Sequence, residues 1–333
     1  MSKPGRRPAT WSSTSAELLA TVFEVPARAD SLPSRLELEA DSGGVRLAGT
    51  LWCPAGNAVA GVLMHPGSGP SDRDNDVLFP PIREHLLRAG IAVCSFDKRG
   101  VGGSAGSWLE AGLYEQAGDL IAALAVFESE SRRGLPLGLF GHSQGGWVVV
   151  EAASRGVPVA FVITNSGPGV SPARQERYSL ANKLTGGRVP ETLAAYDAVV
   201  AVMRERPGLA AGLQQLDAAG VPYRDLPGLE FVFEDETIWR LFAEISDYDP
   251  APALSRIAAP VLAIFGSADK ITPAEESVVA LRAAVRPELL QVEVFPEGDH
   301  RLFHGDPPRF VDGYLDRISS FVLGSCRPPT GLG

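Results

Sequence analysis

The segment Gly141-His142-Ser143-Gln144-Gly145-Gly146 sets a serine between glycines, where an apolar run, Leu135 to Phe140, gives way to a helical one, Gln144 to Ser154. Gly141-x-Ser143-x-Gly145 fits the nucleophile elbow, a sharp strand-to-helix turn that lifts a serine hydroxyl above the end of a sheet. The serine in such a turn holds strained backbone geometry, and side chains at the flanking glycines would collide with the adjoining strand or helix. A serine hydroxyl is a poor nucleophile until a neutral imidazole accepts its proton. The rest of the chain must therefore supply a base, an acid to orient it, and donors for the oxyanion.

Five histidines are available: His65, His85, His142, His300 and His304. His85 lies within a helical segment, and His142, next to the serine, is expected to point away from it. His300 follows the last expected strand, in Phe295-Pro296-Glu297-Gly298-Asp299-His300. That is where open α/β sheets place their ligand chemistry. His300 is the expected base and His304, four residues on, the alternative. Phe265-Gly266-Ser267-Ala268-Asp269 puts Asp269 just past the preceding strand. It is the expected acid, although a turn or cap aspartate would occupy the same kind of position. The chain order Ser143, Asp269, His300 is the one associated with the elbow, and the aspartate would fix the imidazole tautomer.

An oxyanion hole on this plan takes one N–H from Gln144, the residue after the nucleophile, and one from the loop after the third strand. That loop reads His65-Pro66-Gly67-Ser68-Gly69-Pro70-Ser71-Asp72-Arg73-Asp74. Ser68 is the best second donor, with Gly67 or Gly69 as alternatives, and a plain Gly-Pro turn is the simpler reading of the same residues. Gly67, Gly69, His304, Tyr178 and Trp239 are further candidates for contact with a substrate.

The elements that must hold these residues follow from hydrophobic patterning. Leu36 to Ala40 and Val45 to Trp52 alternate around a turn at Asp41-Ser42-Gly43-Gly44, as an antiparallel hairpin should. Ala60 to Met64, Ile91 to Phe96, Leu135 to Phe140 and Val159 to Ile163 are continuous apolar runs, the pattern of strands covered on both faces. Helical segments Phe79 to Arg88, Glu115 to Phe127 and Gln144 to Ser154 alternate with them, which predicts a parallel sheet with right-handed crossovers. The alternation stops from Ser171 to Ser255. Leu193, Tyr196, Val200 and Met203, then Ile238, Leu241, Phe242 and Ile245, recur at helical spacing there. Residues 170–255 are read as a helical cap whose aromatics mostly form its own core. Val261 to Phe265, a helix from Pro273 to Val285 started by a capping box at Thr272-Pro273-Ala274-Glu275, Leu290 to Phe295 and a helix from Pro308 to Leu323 complete the pattern. The expected organisation is a leader (1–20), a core (21–169 and 256–324), the cap between them, and a loose tail (325–333).

With these motifs in place, the chain resembles the α/β-hydrolase superfamily of serine hydrolases over most of Leu36 to Leu323. The resemblance rests on Gly67-Ser68-Gly69-Pro70-Ser71-Asp72-Arg73-Asp74, Phe96-Asp97-Lys98-Arg99-Gly100-Val101-Gly102-Gly103-Ser104, Gly141 to Gly146, and the late Asp269 and His300. The first of these is similar to the oxyanion loop, H-G-S-G-P-x-D-R-D, of a carboxylesterase and acyl-hydrolase subgroup. This chain departs from it at Pro66, which separates His65 from Gly67 and bears on the histidine's role in the loop. The resemblance implies an α/β-hydrolase fold, a mostly parallel central sheet with helices on both faces and an inserted cap. It further implies cleavage of a carboxylic ester or related acyl bond through an acyl-Ser143 intermediate. Acyl-CoA thioesterases and prolyl-oligopeptidase-like peptidases share the features. A receptor with a vestigial site, or a lyase or cyclase, is the alternative from another class.

Composition narrows the partners. A formal charge of -10 argues against a nucleic-acid or anionic-membrane surface, and no apolar run approaches the ~20 residues that span a bilayer. A small acyl substrate is expected, with no cofactor and no metal, and the oligomeric state is left open. Cys53, Cys94 and Cys326 form no C-x-x-C pair, and the first 20 residues lack the apolar core of a secretory signal. A cytoplasmic location is expected. Two motifs are decoys. Gly100-x-Gly102-x-x-Ala105 lacks the position and acidic partner of a dinucleotide site and reads as a turn pinned by an Asp97–Arg99 ion pair. Ser267-x-x-Lys270 lacks the downstream K-T-G of β-lactamases.

Overall fold

The computed structural model describes residues 34–184 and 189–326; the expected leader, and the tail beyond Cys326, lie outside the described residues. Strands β1 (Ser34–Ser42) and β2 (Val45–Cys53) pair antiparallel with Ser42 opposite Val45. Gly43 and Gly44 make the two-residue connection with φ of 61° and 87°, and a primed turn needs positive φ at both positions. Leu38, Ala40, Leu47 and Leu51 point into the core, as the alternation predicts.

The remaining sheet strands are β3 (Ala60–His65), β4 (Ile91–Phe96), β5 (Leu137–His142), β6 (Val162–Asn165), β7 (Val261–Gly266) and β8 (Leu290–Phe295). They join the hairpin in an eight-stranded sheet of order β1-β2-β4-β3-β5-β6-β7-β8, parallel from β4 onward. Every residue of β3 to β7 is buried. Their continuous apolar character is the consequence of cover on both faces. One face packs on α2 (Leu113–Glu130) and α3 (Gln144–Ser154) through Leu120, Phe127, Val148 and Val149. The other packs on α1 (Phe79–Arg88) and α10 (Tyr314–Ser325) through Phe79, Ile82, Ile318 and Phe321. The fold class expected from the sequence is the one observed.

Between β6 and β7 the chain builds α4 (Pro172–Lys183), α5 (Val189–Arg204), α6 (Leu209–Ala218) and α7 (Glu236–Ser246). These helices enclose a separate core of Leu180, Tyr196, Val200, Met203, Leu216 and Trp239. A fully buried side chain of tryptophan size contributes about 3–5 kcal/mol relative to alanine, so the insertion carries its own stabilisation. Helix α8 (Ala251–Arg256) already packs Ala253 and Leu254 into the core under the sheet.

Three local expectations are corrected. The last helix begins at Tyr314 rather than Pro308, because a small hairpin, β9 (Phe303–His304) with β10 (Arg309–Phe310), and Gly313 in the left-handed region come first. Helix α9 (Ala274–Ala284) has no side-chain cap, since the Thr272 hydroxyl donates instead to Ser166 O at 3.0 Å. Asp97 and Arg99 do not pair with each other: Asp97 takes Arg73 (2.6 Å) and Arg99 takes Asp119 (2.7 Å).

Candidate active site

Ser143 joins β5 to α3 with φ 53° and ψ -121°. A non-glycine residue pays about 1–3 kcal/mol for such a conformation. The turn is held by its own N–H, which donates to Asn165 O at 2.9 Å, and by Gly146 N–H, which donates to Ser143 O at 2.8 Å. The flanking glycines are required by close approach. A Cβ on Gly145 would lie 2.6 Å from His65 O and 2.7 Å from Pro66 O, and one on Gly141 would strike the Gly145 carbonyl.

The serine, imidazole and carboxylate form one hydrogen-bonded chain. Ser143 Oγ lies 2.9 Å from His300 Nε2, and His300 Nδ1 lies 2.8 Å from Asp269 Oδ2. Asp269 is 4 % exposed, and its other oxygen accepts from the N–H groups of Ile271 (2.7 Å) and Thr272 (2.9 Å). The turn contacts and the contact to the imidazole thus coexist, one set on each carboxylate oxygen. Asp299 anchors His300 from the preceding position. Its Oδ1 accepts from Arg301 N–H and Phe303 N–H, both at 2.8 Å, which fixes the turn that presents His300. His142 makes no hydrogen bond to Ser143. Its ring lies 5.1 Å from the His300 ring, and its Nδ1 meets Asn165 Nδ2 at 3.0 Å. Burial, aided by the nearby His300 and Arg301, holds it well below the usual histidine range, so it packs as a neutral ring.

The loop after β3 passes directly beside the nucleophile: a Cβ on Gly67 would sit 3.6 Å from Ser143 Cβ. Gly67 N–H is taken by Asn75 Oδ1 at 3.2 Å, which removes it as an oxyanion donor. Among the described residues, the N–H groups of Ser68 and Gln144 have no hydrogen-bond partner in the protein. Gln144 opens α3, where a first-turn N–H has no intrahelical acceptor. Arg73 braces the loop from behind, with Nε and Nη2 on Asp97 at 3.0 and 2.6 Å and Nη1 on Glu37 at 2.8 Å. Burial pushes the Asp97 carboxyl up, but the hydrogen bonds from Arg73 and Gly103 outweigh it and hold it below the usual range.

A cavity beneath the loop after β3 reaches Gln144, the neighbour of Ser143, and is lined also by His65, Gly69, Lys98, Gln116 and Leu241, the last contributed by α7 of the insertion. His65 meets Gln116 Oε1 at 3.3 Å. Burial, reinforced by the charge of Lys98, pushes its pKa down to about 3, so the loop histidine is a neutral structural group. Of the other substrate-contact candidates, Tyr178 donates to Asp269 O at 2.9 Å, which places it at the acid. His304 is engaged by Glu297 and Arg309. Trp239 is fully buried within the insertion and donates to Pro207 O at 2.8 Å. It packs in the insertion's own core with Tyr196 and Leu216, the place expected of most aromatics in this segment.

A family model described as serine aminopeptidase, S33, matches residues 77–307, a span that contains Ser143, Asp269 and His300. The chain belongs to this family of serine hydrolases, within the α/β-hydrolase superfamily. No curated protein sequence matches the chain. Among solved structures, the Pyrococcus furiosus esterase Pf2001 is similar at 17% identity and a TM-score of 0.58, over 98% of this chain and 100% of that one. Est1E from Butyrivibrio proteoclasticus, solved with ferulic acid, is similar at 16% identity and a TM-score of 0.54, over 86% and 96%. Proline iminopeptidase from Mycobacterium smegmatis is similar at 18% and 0.57, over 87% and 99%. At these identities the structures share the fold with this serine hydrolase.

Residues that sequence reasoning did not single out are Asn75, which secures the loop after β3, Arg73, which ties it to Asp97 after β4, and Lys98 beneath it. The available signal was the crowding of Arg73, Asp97 and Lys98 into the two loops that leave adjacent strands β3 and β4 at the same sheet edge as Ser143.

Proposed function

We propose that the protein hydrolyses a carboxylic ester through an acyl-Ser143 intermediate. The observation that carries this reading is the continuous chain from Ser143 Oγ through His300 to Asp269, with links of 2.9 and 2.8 Å. His300 takes the serine proton as Oγ attacks the acyl carbon, and Asp269 stabilises the imidazolium that forms. The N–H groups of Gln144 and Ser68 receive the oxyanion. His300 then returns the proton to the leaving alcohol, and a water activated by the same imidazole releases the acid. The helical insertion acts as a cap over the acyl site, and its Leu241 lines the cavity that reaches Gln144.

The charge of the cavity favours an ester over the N-terminal aminoacyl amide that the family description brings to mind. An aminopeptidase must hold a substrate ammonium. Here Asp97 and Asp119 are each bound to an arginine, and Lys98 in the same lining has no acidic partner among the described residues. That wall offers an ammonium no free carboxylate and suits a neutral or anionic acyl group. Parallel assays on p-nitrophenyl esters, acyl-thioesters and aminoacyl anilides test the reading. Turnover is expected on the esters with labelling of Ser143 by a fluorophosphonate. Preference for the anilide, or a protein that takes no label, would refute it.

A further inference from the structure

Lys98 follows β4 in the turn Asp97-Lys98-Arg99 and is 7 % exposed. Its ammonium makes two hydrogen bonds, to the carbonyl oxygen of Gly67 and to Gln144 Oε1. Both acceptors are neutral, and no carboxylate among the described residues pairs with it. Keeping a buried ammonium without a counter-charge is costly. If the turn needed only a tether, a neutral donor would serve at less expense.

The acceptors are the carbonyl of the Gly67–Ser68 peptide and the side chain of Gln144, and on the reading given above the N–H groups of Ser68 and Gln144 face the developing charge. Gly67 O and Ser68 N–H are the ends of one trans peptide unit, so they point in opposite directions. A cation on the oxygen fixes the plane of that unit and draws electron density from the nitrogen, which strengthens the N–H as a donor. The flanking groups are already tied: Gly67 N–H to Asn75 Oδ1, and Ser68 O to the Ser71 hydroxyl at 3.1 Å. At the other donor, the bond to Gln144 Oε1 pulls that side chain under the loop and leaves its backbone N–H exposed at the start of α3.

We propose that Lys98 is a positioning residue for the oxyanion hole, clamping the Gly67–Ser68 peptide and Gln144 together and polarising the first by its charge. The inference rests on the acyl-serine reading. The groups that face Lys98 from the packed elements are His65 on β3, Gln116 and Asp119 on α2 with Arg99 bound to the latter, and Asp97 with Arg73 beside it. Each acidic member is paired and His65 is neutral, so Lys98 is the charge that changes state under the loop as pH rises.

The test is Lys98→Met, an unbranched neutral side chain of similar reach, assayed on a p-nitrophenyl ester. kcat is expected to fall about 10- to 100-fold, less than the 10²–10³ for outright loss of a donor, with KM within about 3-fold of wild type. Affinity for a trifluoromethyl ketone, which forms an oxyanion on Ser143, falls by the same factor as kcat/KM. A purely structural tether would instead lower thermal stability and leave kcat and ketone affinity in place. A folded Lys98→Met with wild-type kcat overturns the proposal. If that variant does not fold, wild-type kcat decides: it must decline on the alkaline side as Lys98 loses its proton, and a constant kcat up to pH ~10, where even a free lysine begins to titrate, overturns it. Ser143→Ala separates the two claims. An active Ser143→Ala removes the acyl-serine reading, whereas an inactive one alongside an unaffected Lys98→Met removes the Lys98 role alone.

Discussion

The burial of Lys98 has a thermodynamic signature independent of catalysis. Burial pushes its pKa from 10.5 down to about 7, so the unfolded chain holds this proton more tightly than the folded one. Stability then rises with pH wherever the unfolded state binds the extra proton. The penalty is full below about pH 7, shrinks between pH 7 and 10.5, and is gone above the unfolded pKa. A pKa lowered by one pH unit corresponds to about 1.4 kcal/mol, so the fall from 10.5 to about 7 sets a ceiling of about 5 kcal/mol. Relaxation and water penetration around a buried charge lower this to about 2–4 kcal/mol. Lys98→Met removes the titration but leaves Gly67 O and Gln144 Oε1 without their donor, a pH-independent loss of about 1–3 kcal/mol each. Urea unfolding of both proteins at pH 6.5, 8 and 9.5 reads the difference directly. Wild type should gain on the variant by about 1–3 kcal/mol from the lowest to the highest pH, since part of the penalty persists up to the unfolded pKa. A difference that stays constant with pH would mean that the ammonium is not held in a desolvated, unpaired site.

Two further outcomes follow from the site geometry. Asp269→Asn keeps an oxygen for the Ile271 and Thr272 N–H groups but presents the wrong partner to His300 Nδ1. Ester kcat should fall about 10⁴-fold while the thermal midpoint stays within a few degrees; a loss of less than 10-fold would sever Asp269 from the chemistry. Gly145→Ala drives a methyl into His65 O and Pro66 O at 2.6 and 2.7 Å, both backbone atoms that cannot swing aside. Circular dichroism melts and ester turnover should both drop sharply, and a variant with wild-type turnover would show that the elbow has more room than this packing allows.

The candidate site was legible in the sequence where its signals were local. Ser143 stood between glycines at a strand-to-helix junction, and Asp269 and His300 each closed an apolar run. The parallel sheet was legible because β3 to β7 are covered on both faces and therefore read as unbroken apolar runs. What stayed hidden was non-local. The Arg73–Asp97 pair joins residues 24 apart, so the nearer Arg99 looked like the natural partner, although Arg99 reaches Asp119 on α2. Lys98 sits among charged neighbours in a turn, a context that reads as solvated; its burial arises from the loop after β3 and Gln144 folding over it. The β9–β10 hairpin pairs two residues on each side, too short for an alternating pattern to register. Which of the insertion's aromatics form its core was open in the sequence, because it depends on how its helices pack; Trp239 is in that core.

The central claim is that Ser143 carries the acyl group. Its most direct measurement is the turnover of an activated ester by Ser143→Ala under conditions where wild-type turnover is readily detected, with folding verified by circular dichroism. The expected result is a fall in kcat of at least ~10⁴-fold and loss of fluorophosphonate labelling. A folded Ser143→Ala that retains wild-type turnover would contradict it.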